Sequence, residues 1–294
     1  MNFSKLIYLG ILISLLFAAC AKPIADFTYT GNTNHAPIKI DFQNKSSEAE
    51  AYDWNFGDGA TSSDPSPSHE YKESGNYTVT LIAKKGKKTK TIEKQIQVEA
   101  PEHCLVEIET DYGNMIAILY DATPGHRDNF IKLVEEEFYD GIIFHRIING
   151  FMIQGGDPNS KNAKPNAQLG SGGPGYQIPA EFVDSLIHVK GALAAARTNN
   201  PKKESSGSQF YIVQGKPLSD GELNMMEARQ DARYTKEQRE AYRTLGGTPQ
   251  LDREYTVFGR VIKGLEVIDK IAAVRTGNRD RPVKDVKMKI RAIR

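Results

Sequence analysis

The 294-residue sequence contains two cysteines and one tryptophan, too few for a disulfide-stapled scaffold. Charge of one sign is missing as well. The 38 Lys and Arg residues face 37 Asp and Glu residues, interspersed rather than blocked, and the net charge is +1. That balance argues against a dedicated nucleic-acid or polyanion binder. His103, His126 and His188 are scattered, with no metal-ligand spacing. The apolar run Leu6 to Phe17 falls short of a comfortable transmembrane span. What remains is the composition of ordinary globular protein, 39% hydrophobic and 26% charged, in a chain long enough for two domains.

The N-terminus carries a separate message. Lys5, the run Leu6 to Phe17 and then LLFAAC read as a secretory signal peptide over residues 1–19. Its end resembles a bacterial lipoprotein signal, in which Cys20 becomes the lipidated first residue of the mature chain; a plain signal peptide or a short membrane anchor are the alternatives. Residues 20–23 would then be a tether. With Cys20 acylated, Cys104 has no intramolecular partner and reads as a packed strand residue rather than a reactive thiol.

From Ile24 to Val98 short alternating runs (ADFTY, IKIDF, YDWNF, YTVTLIA, KTIEKQIQV) are separated by turn clusters, which predicts an all-β sandwich. Gly57, Asp58 and Gly59 make a tight turn, and Trp54 and Tyr77 are candidate core aromatics. Asp58 fits a turn better than a metal loop. The basic tract Lys84 to Lys90, centred on Gly86, reads as a solvated hairpin loop rather than a membrane or envelope contact. The stretch Trp54 to Leu81, with FGDG followed by His69, Tyr71, Gly75 and Tyr77, resembles the PKD-type domain, an immunoglobulin-like sandwich, over residues 24–99. Pro101 breaks the pattern, and residues 100–103 are expected to be a linker.

From residue 104 to 294 strands mix with a few helices and many glycine turns, which suggests an antiparallel barrel or an α+β fold. LVEIETDYGNMIAILY reads as a hairpin about Tyr112-Gly113, and TPGHRDNFIKLVEEEFYDG as a helix with Pro124 in its first turn and Gly141 past its end. Glu135 to Glu137 are its solvated end. In FHRIINGFMIQGGD, residues 144–157, an arginine and a glutamine interrupt an apolar strand–turn–strand pattern with no serine or cysteine nucleophile nearby. A two-residue Asn149-Gly150 turn would set Arg146 opposite Ile153; a three-residue loop, Asn149 to Phe151, sets it opposite Gln154. The second register is preferred, because the Gln154 carbonyl can then hold a partly buried guanidinium. His145, on the opposite face by alternation, is expected to be a hydrogen-bonded structural histidine.

This stretch, with GALAAARTNNPKKESSGSQFYI (residues 191–212) and LDREYTVFGRVIKGLEVIDKI (residues 251–271), resembles the cyclophilin peptidyl-prolyl isomerases. The resemblance implies a closed eight-stranded antiparallel β-barrel flanked by two helices. Carried over residue by residue, it implies catalytic Arg146 with Gln154. Phe151, Met152, Tyr211 and Leu251 would form an apolar cup for proline, Ala196 and Arg197 would offer backbone groups to the substrate, Gln209 a side-chain amide, and Tyr255 would line the site. No metal and no cofactor are implied. Gln250 stands where many eukaryotic members have tryptophan, which puts strong cyclosporin binding in doubt. Tyr211 stands for the more usual phenylalanine, Ala195 for methionine, and Tyr255 and Arg197 follow bacterial members. The glycine-rich Leu169 to Phe182 lacks the GK[ST] ending of a phosphate loop and fits a groove-flanking loop. Residues 214–250 are an insertion, a surface elaboration in preference to a substrate-selecting lid.

The expectation is an isomerase of X-Pro bonds in unfolded or folding exported proteins, lipid-anchored at Cys20 in a bacterial envelope, periplasmic or surface-exposed. The alternative is an envelope protein that grips proline segments or glycans, through the sandwich or the second domain, with little turnover.

Overall fold

The computed structural model describes residues 22–31, 34–165 and 167–294, in two compact units that divide at Glu102 and His103. Residues 1–19, expected from the sequence to be a signal peptide, and Cys20 lie outside the described residues.

The first unit holds seven strands: β1 (Phe27–Gly31), β2 (Ile38–Asn44), β3 (Ala51–Asn55), β4 (Thr61–Ser62), β5 (Ser68–Tyr71), β6 (Gly75–Lys85) and β7 (Lys88–Val98). They form two antiparallel sheets, β1-β2-β5 and β4-β3-β6-β7. Alternation in β2 buries Ile38, Ile40 and Phe42 and exposes the residues between them, the pattern of a strand with one wet face. Aromatic rings fill the space between the sheets, with Trp54 5.1 Å from Phe27 and 5.5 Å from Phe42, centroid to centroid. Tyr77 is only half-buried; the buried tyrosine is Tyr71, 4.3 Å from it, whose hydroxyl donates to the Phe56 carbonyl. The Asp58 carboxylate is occupied by the Ala60 N–H and by His69.

The second unit is built on one antiparallel sheet of eight strands: β8 (Leu105–Thr110), β9 (Gly113–Leu119), β10 (Arg146–Ile148), β11 (Met152–Gly155), β13 (Ala192–Ala195), β15 (Phe210–Val213), β16 (Val257–Lys263) and β17 (Met288–Ile293), in the order β10-β11-β15-β13-β16-β9-β8-β17. Two short strands, β12 (Gln177–Ile178) and β14 (Ser205–Ser206), pair beside it. One face of the curled sheet encloses Val106, Ile108, Ile147, Ile153, Leu193, Phe210 and Ile212. Helices α1 (Pro124–Glu135) and α4 (Leu265–Ala272) add Phe130, Leu133, Ile268 and Ile271 to the same core. Pro124 stands in the first turn of α1, where its missing N–H costs no hydrogen bond.

The expected closed barrel is corrected to an open, curled sheet. The edge strands β10 and β17 do not pair with each other. The segment ahead of β10 meets the start of β17 through an isolated bridge between Ile143 and Lys287 and backbone bonds from Phe144 to Val286, from Met288 to Ile142 and from Gly141 to Met288. Residues that would continue this pairing beside β10 are committed elsewhere. Thr276 bridges Pro282, the Val283 N–H goes to Arg275, and Pro282 has no N–H to give. Cys104 also differs from expectation, being exposed and just ahead of β8 rather than packed within it.

The insertion folds as two helices, α2 (Asp220–Gln230) and α3 (Lys236–Thr244). Each begins with a capping box, Ser219 with Glu222 and Thr235 with Gln238, which satisfies N–H groups the first turn leaves unpaired. Leu223 and Tyr242 are their fully buried anchors.

Phe210 is 1% exposed and packs on Phe130, Tyr139 and Phe144. Phe210→Ala is expected to lower the stability of this unit by about 3–5 kcal/mol, read as a shift of denaturant midpoint at unchanged slope.

Candidate active site

The site is set by strand register. Arg146 pairs with Gln154, Ile147 with Ile153 and Ile148 with Met152, leaving Asn149 to Phe151 as a three-residue loop. Gly150 takes φ 79°, a conformation that suits glycine, and its N–H donates to Gln214 Oε1 at 2.6 Å. The Phe151 carbonyl accepts from the N–H groups of Gln214 and Gly215. Across the next ladder Gln154 faces Tyr211 and Met152 faces Val213. Arg146, Ile148, Met152, Gln154 and Tyr211 therefore stand on the face away from the main core, because residues two apart or directly paired share a face.

On that face Met152, Ala196 and Tyr211 form an apolar cluster with Phe151, Leu251 and Tyr255 at its partly exposed rim. The Arg197 guanidinium lies 4.8 Å from the Tyr255 ring centroid, donates to the Glu254 carbonyl and carboxylate at 2.9 and 3.0 Å, and is nearly buried. All ten site residues expected from the sequence are thus joined in one patch, with Gln209 reaching it through Gln154.

Their hydrogen bonds differ from expectation in three places. Gln154 does not hold the arginine: its amide donates to Gln209 Oε1 at 3.2 Å, and the Arg146 Nε instead faces Asp280 Oδ2 at 3.4 Å. Gln209 does not offer a free amide, because Nε2 donates to the Gly170 and Gly172 carbonyls at 3.0 and 2.7 Å. It clamps the glycine-rich loop, where a Cβ on Gly172 would meet Asp157 Oδ1 at 2.1 Å. The Ala196 N–H and carbonyl are engaged with Gln209 and Ser206, whereas the Arg197 backbone groups have no partner among the described residues.

Two open grooves meet at Gln154. One, of about 730 Å³, runs along Gly170 to Gly175, Ala196, Arg197 and Gln209. The other, of about 1020 Å³, is bounded by His145, Arg146, Gln168 and Asp280. No cluster of three or more His, Cys, Asp or Glu able to hold a metal occurs among the described residues. Sequence reasoning missed Asp280, Glu254, His188 and Asp252. Asp280 and His188 reach the site across long stretches of chain, whereas Asp252 and Glu254 are sequence neighbours of the site residues Leu251 and Tyr255.

His145 is 4% exposed, and neither ring nitrogen has a hydrogen-bond partner among the described residues, contrary to the expected hydrogen-bonded role. Burial pushes its pKa down to about 4, Arg146 and Arg281 add to this, and Asp157 opposes it.

Comparison with known proteins accords with this geometry. The profile of the cyclophilin type peptidyl-prolyl cis-trans isomerases matches residues 105–292, and that of the PKD domain residues 20–100. A protein of Staphylococcus epidermidis described as a peptidyl-prolyl cis-trans isomerase is 37% identical over 182 residues, 62% of this chain and 87% of its own length. A protein of Streptococcus pyogenes described as a bifunctional phosphatase/peptidyl-prolyl cis-trans isomerase is 38% identical over 198 residues, but this chain spans only 39% of it. The crystal structure of a cyclophilin type isomerase from Cryptosporidium parvum superposes with a TM-score of 0.50 at 25% identity, covering 65% of this chain and 98% of that one. The chain belongs to the cyclophilin-type peptidyl-prolyl cis-trans isomerase family, with a PKD domain ahead of the isomerase unit.

The depressed pKa of His145 makes a pH prediction. Its folded-state value, about 4, lies below the unfolded value of about 6.5, so the stabilisation from keeping it neutral is complete above 6.5 and is lost as pH falls toward 4. The loss should approach about 3 kcal/mol, and stability against pH should be flatter over that window in His145→Leu.

Proposed function

We propose that the second unit isomerises X-Pro bonds of exported or envelope proteins and that Arg146 supplies the catalytic interaction. Rotation about an X-Pro bond breaks no covalent bond, so no nucleophile is required. The barrier is that of a partial double bond, about 18–20 kcal/mol for peptides in general. In the twisted transition state the proline nitrogen loses resonance and regains a lone pair. A donor aimed at that nitrogen binds the twisted form better than either planar isomer, which is the condition for acceleration.

One observation carries this reading. The Arg146 guanidinium is half-exposed beside the apolar cluster of Phe151, Met152 and Tyr211, and only its Nε side is occupied, by Asp280. Its two terminal nitrogens have no partner among the described residues and can donate to a bound amide. In this account Phe151, Met152, Tyr211 and Leu251 take the proline ring, and Tyr255 lines the same cup. The free backbone groups of Arg197 and the uncommitted Oε1 of Gln154 receive the peptide. Gln209 shapes the groove by holding its loop, and Ala196 contributes apolar wall.

The N-terminal motif supports placing this activity at a membrane, through lipid on Cys20, with the PKD unit as spacer. Whether display is periplasmic or at the surface is decided by labelling intact cells.

Arg146→Ala in the full chain should lower kcat/KM on an X-Pro reporter peptide by about 100-fold or more, as loss of one transition-state donor does, while the fold is kept. Rates equal to those of the unaltered chain would refute the role given to Arg146.

A further inference from the structure

A buried chain of hydrogen bonds leads from the proline cup to the insertion. Tyr211, 4% exposed and a wall of the cup, places its hydroxyl 2.9 Å from His188 Nε2. The other ring nitrogen, Nδ1, lies 2.8 Å from Asp252 Oδ1, which also accepts the His188 backbone N–H at 2.9 Å. Asp252 Oδ2 accepts two phenols of the insertion, Tyr242 at 2.6 Å and Tyr234 at 2.8 Å. His188 and Tyr242 are fully buried.

The donor order follows from these contacts. Nδ1 facing a carboxylate carries the imidazole proton, which leaves Nε2 to accept from Tyr211. Burial raises the pKa of Tyr211 well above the ordinary phenol range, and burial with Asp252 does the same for Tyr234 and Tyr242, so all three hydroxyls keep their protons and donate. The Asp252 oxygens accept four bonds, their full capacity, and every polar side-chain atom of the chain is paired.

Backbone contacts bring the same pieces together. The Thr248 N–H donates to the His188 carbonyl, and Leu251 donates back to Thr248, which seats Leu251 in the cup. A Cβ on Gly247 would meet the His188 carbonyl at 2.3 Å and the Tyr242 ring at 2.6 Å, so glycine permits the close approach.

We infer that His188 and Asp252 are positioning residues for Tyr211, and that the 214–250 insertion tunes the proline cup through them. The inference rests on the cup assigned above. A phenylalanine at 211 would fill the same space but be held by packing alone; the hydroxyl fixes the ring's tilt and depth relative to Met152 and Tyr255. The insertion is then neither a detached surface elaboration nor a lid, but the far anchor of a pocket wall.

The test is a double-substitution cycle in the full chain, with kcat and KM measured on an X-Pro peptide. Tyr211→Phe and Asp252→Asn should each raise KM roughly two- to tenfold, the equivalent of one hydrogen bond, with kcat little changed. Because both act through one chain, the double variant should be no worse than the poorer single. Effects that multiply, or a lowered melting temperature with KM unchanged in both, would overturn the inference and leave a purely structural network. If Asp252→Asn fails to fold, Tyr234→Phe with Tyr242→Phe takes its place in the cycle. Titration with a proline peptide gives the same cycle in Kd without turnover. Absence of turnover in the unaltered chain would count against the proposed function, whereas additive affinities would count against the network.

Discussion

The pairing of Arg146 with Gln154 is the constraint from which the rest of the site follows. Side chains alternate along a strand, so a slip of β10 by one residue against β11 would send Ile147 out of the core and Arg146 and Ile148 into it. An arginine there would be buried without a partner, at a cost far above any gain from the exchanged isoleucines. The register is also fixed locally, by Gly150 in the left-handed region and by Gln214 bonding to both Gly150 and Phe151. Once it is set, Tyr211 falls opposite Gln154, and the cup assembles on one face of three adjacent strands.

Around the cup nearly every polar group is already engaged. Gln209 is spent on the glycine loop, the Arg197 side chain on Glu254, and His188 on Asp252 and Tyr211. A buried polar group left unpaired costs about 1–3 kcal/mol, so these bonds are structural necessities that also hold the walls in place. Among the described residues, the groups here without a hydrogen-bond partner are the outer nitrogens of Arg146, the backbone of Arg197, one oxygen of Gln154 and the Tyr255 hydroxyl.

Much of this was legible in the sequence, and the reason is local. Alternating runs, the Asn149-Gly150 turn, Pro124 and Gly141 are short-range signals, and three separated blocks carried the family resemblance. The preferred register is the one found, although the partner that argued for it is not: Gln154 bonds to Gln209, and Arg146 faces Asp280. What was not legible depends on contacts distant in sequence. Asp280 meets Arg146 across more than half of the second unit, and the strand closure fails because residues 275–283 fold on themselves. The unpaired ring of His145 and the exposure of Cys104 likewise follow from what packs around them, which no periodicity encodes. The insertion reads in the sequence as a surface elaboration, and its link to Tyr211 was not visible there.

In the proposed mechanism Arg146 acts on the twisted amide rather than on peptide affinity. Exchange spectroscopy on a saturating X-Pro peptide separates the two, since it reads cis–trans interconversion on the protein together with Kd. With Arg146→Gln, which keeps an N–H donor but loses the charge, on-protein exchange should slow by about 100-fold with Kd within about twofold of the unaltered chain. Exchange that stays fast while Kd weakens would show that Arg146 only binds peptide, and would contradict the account.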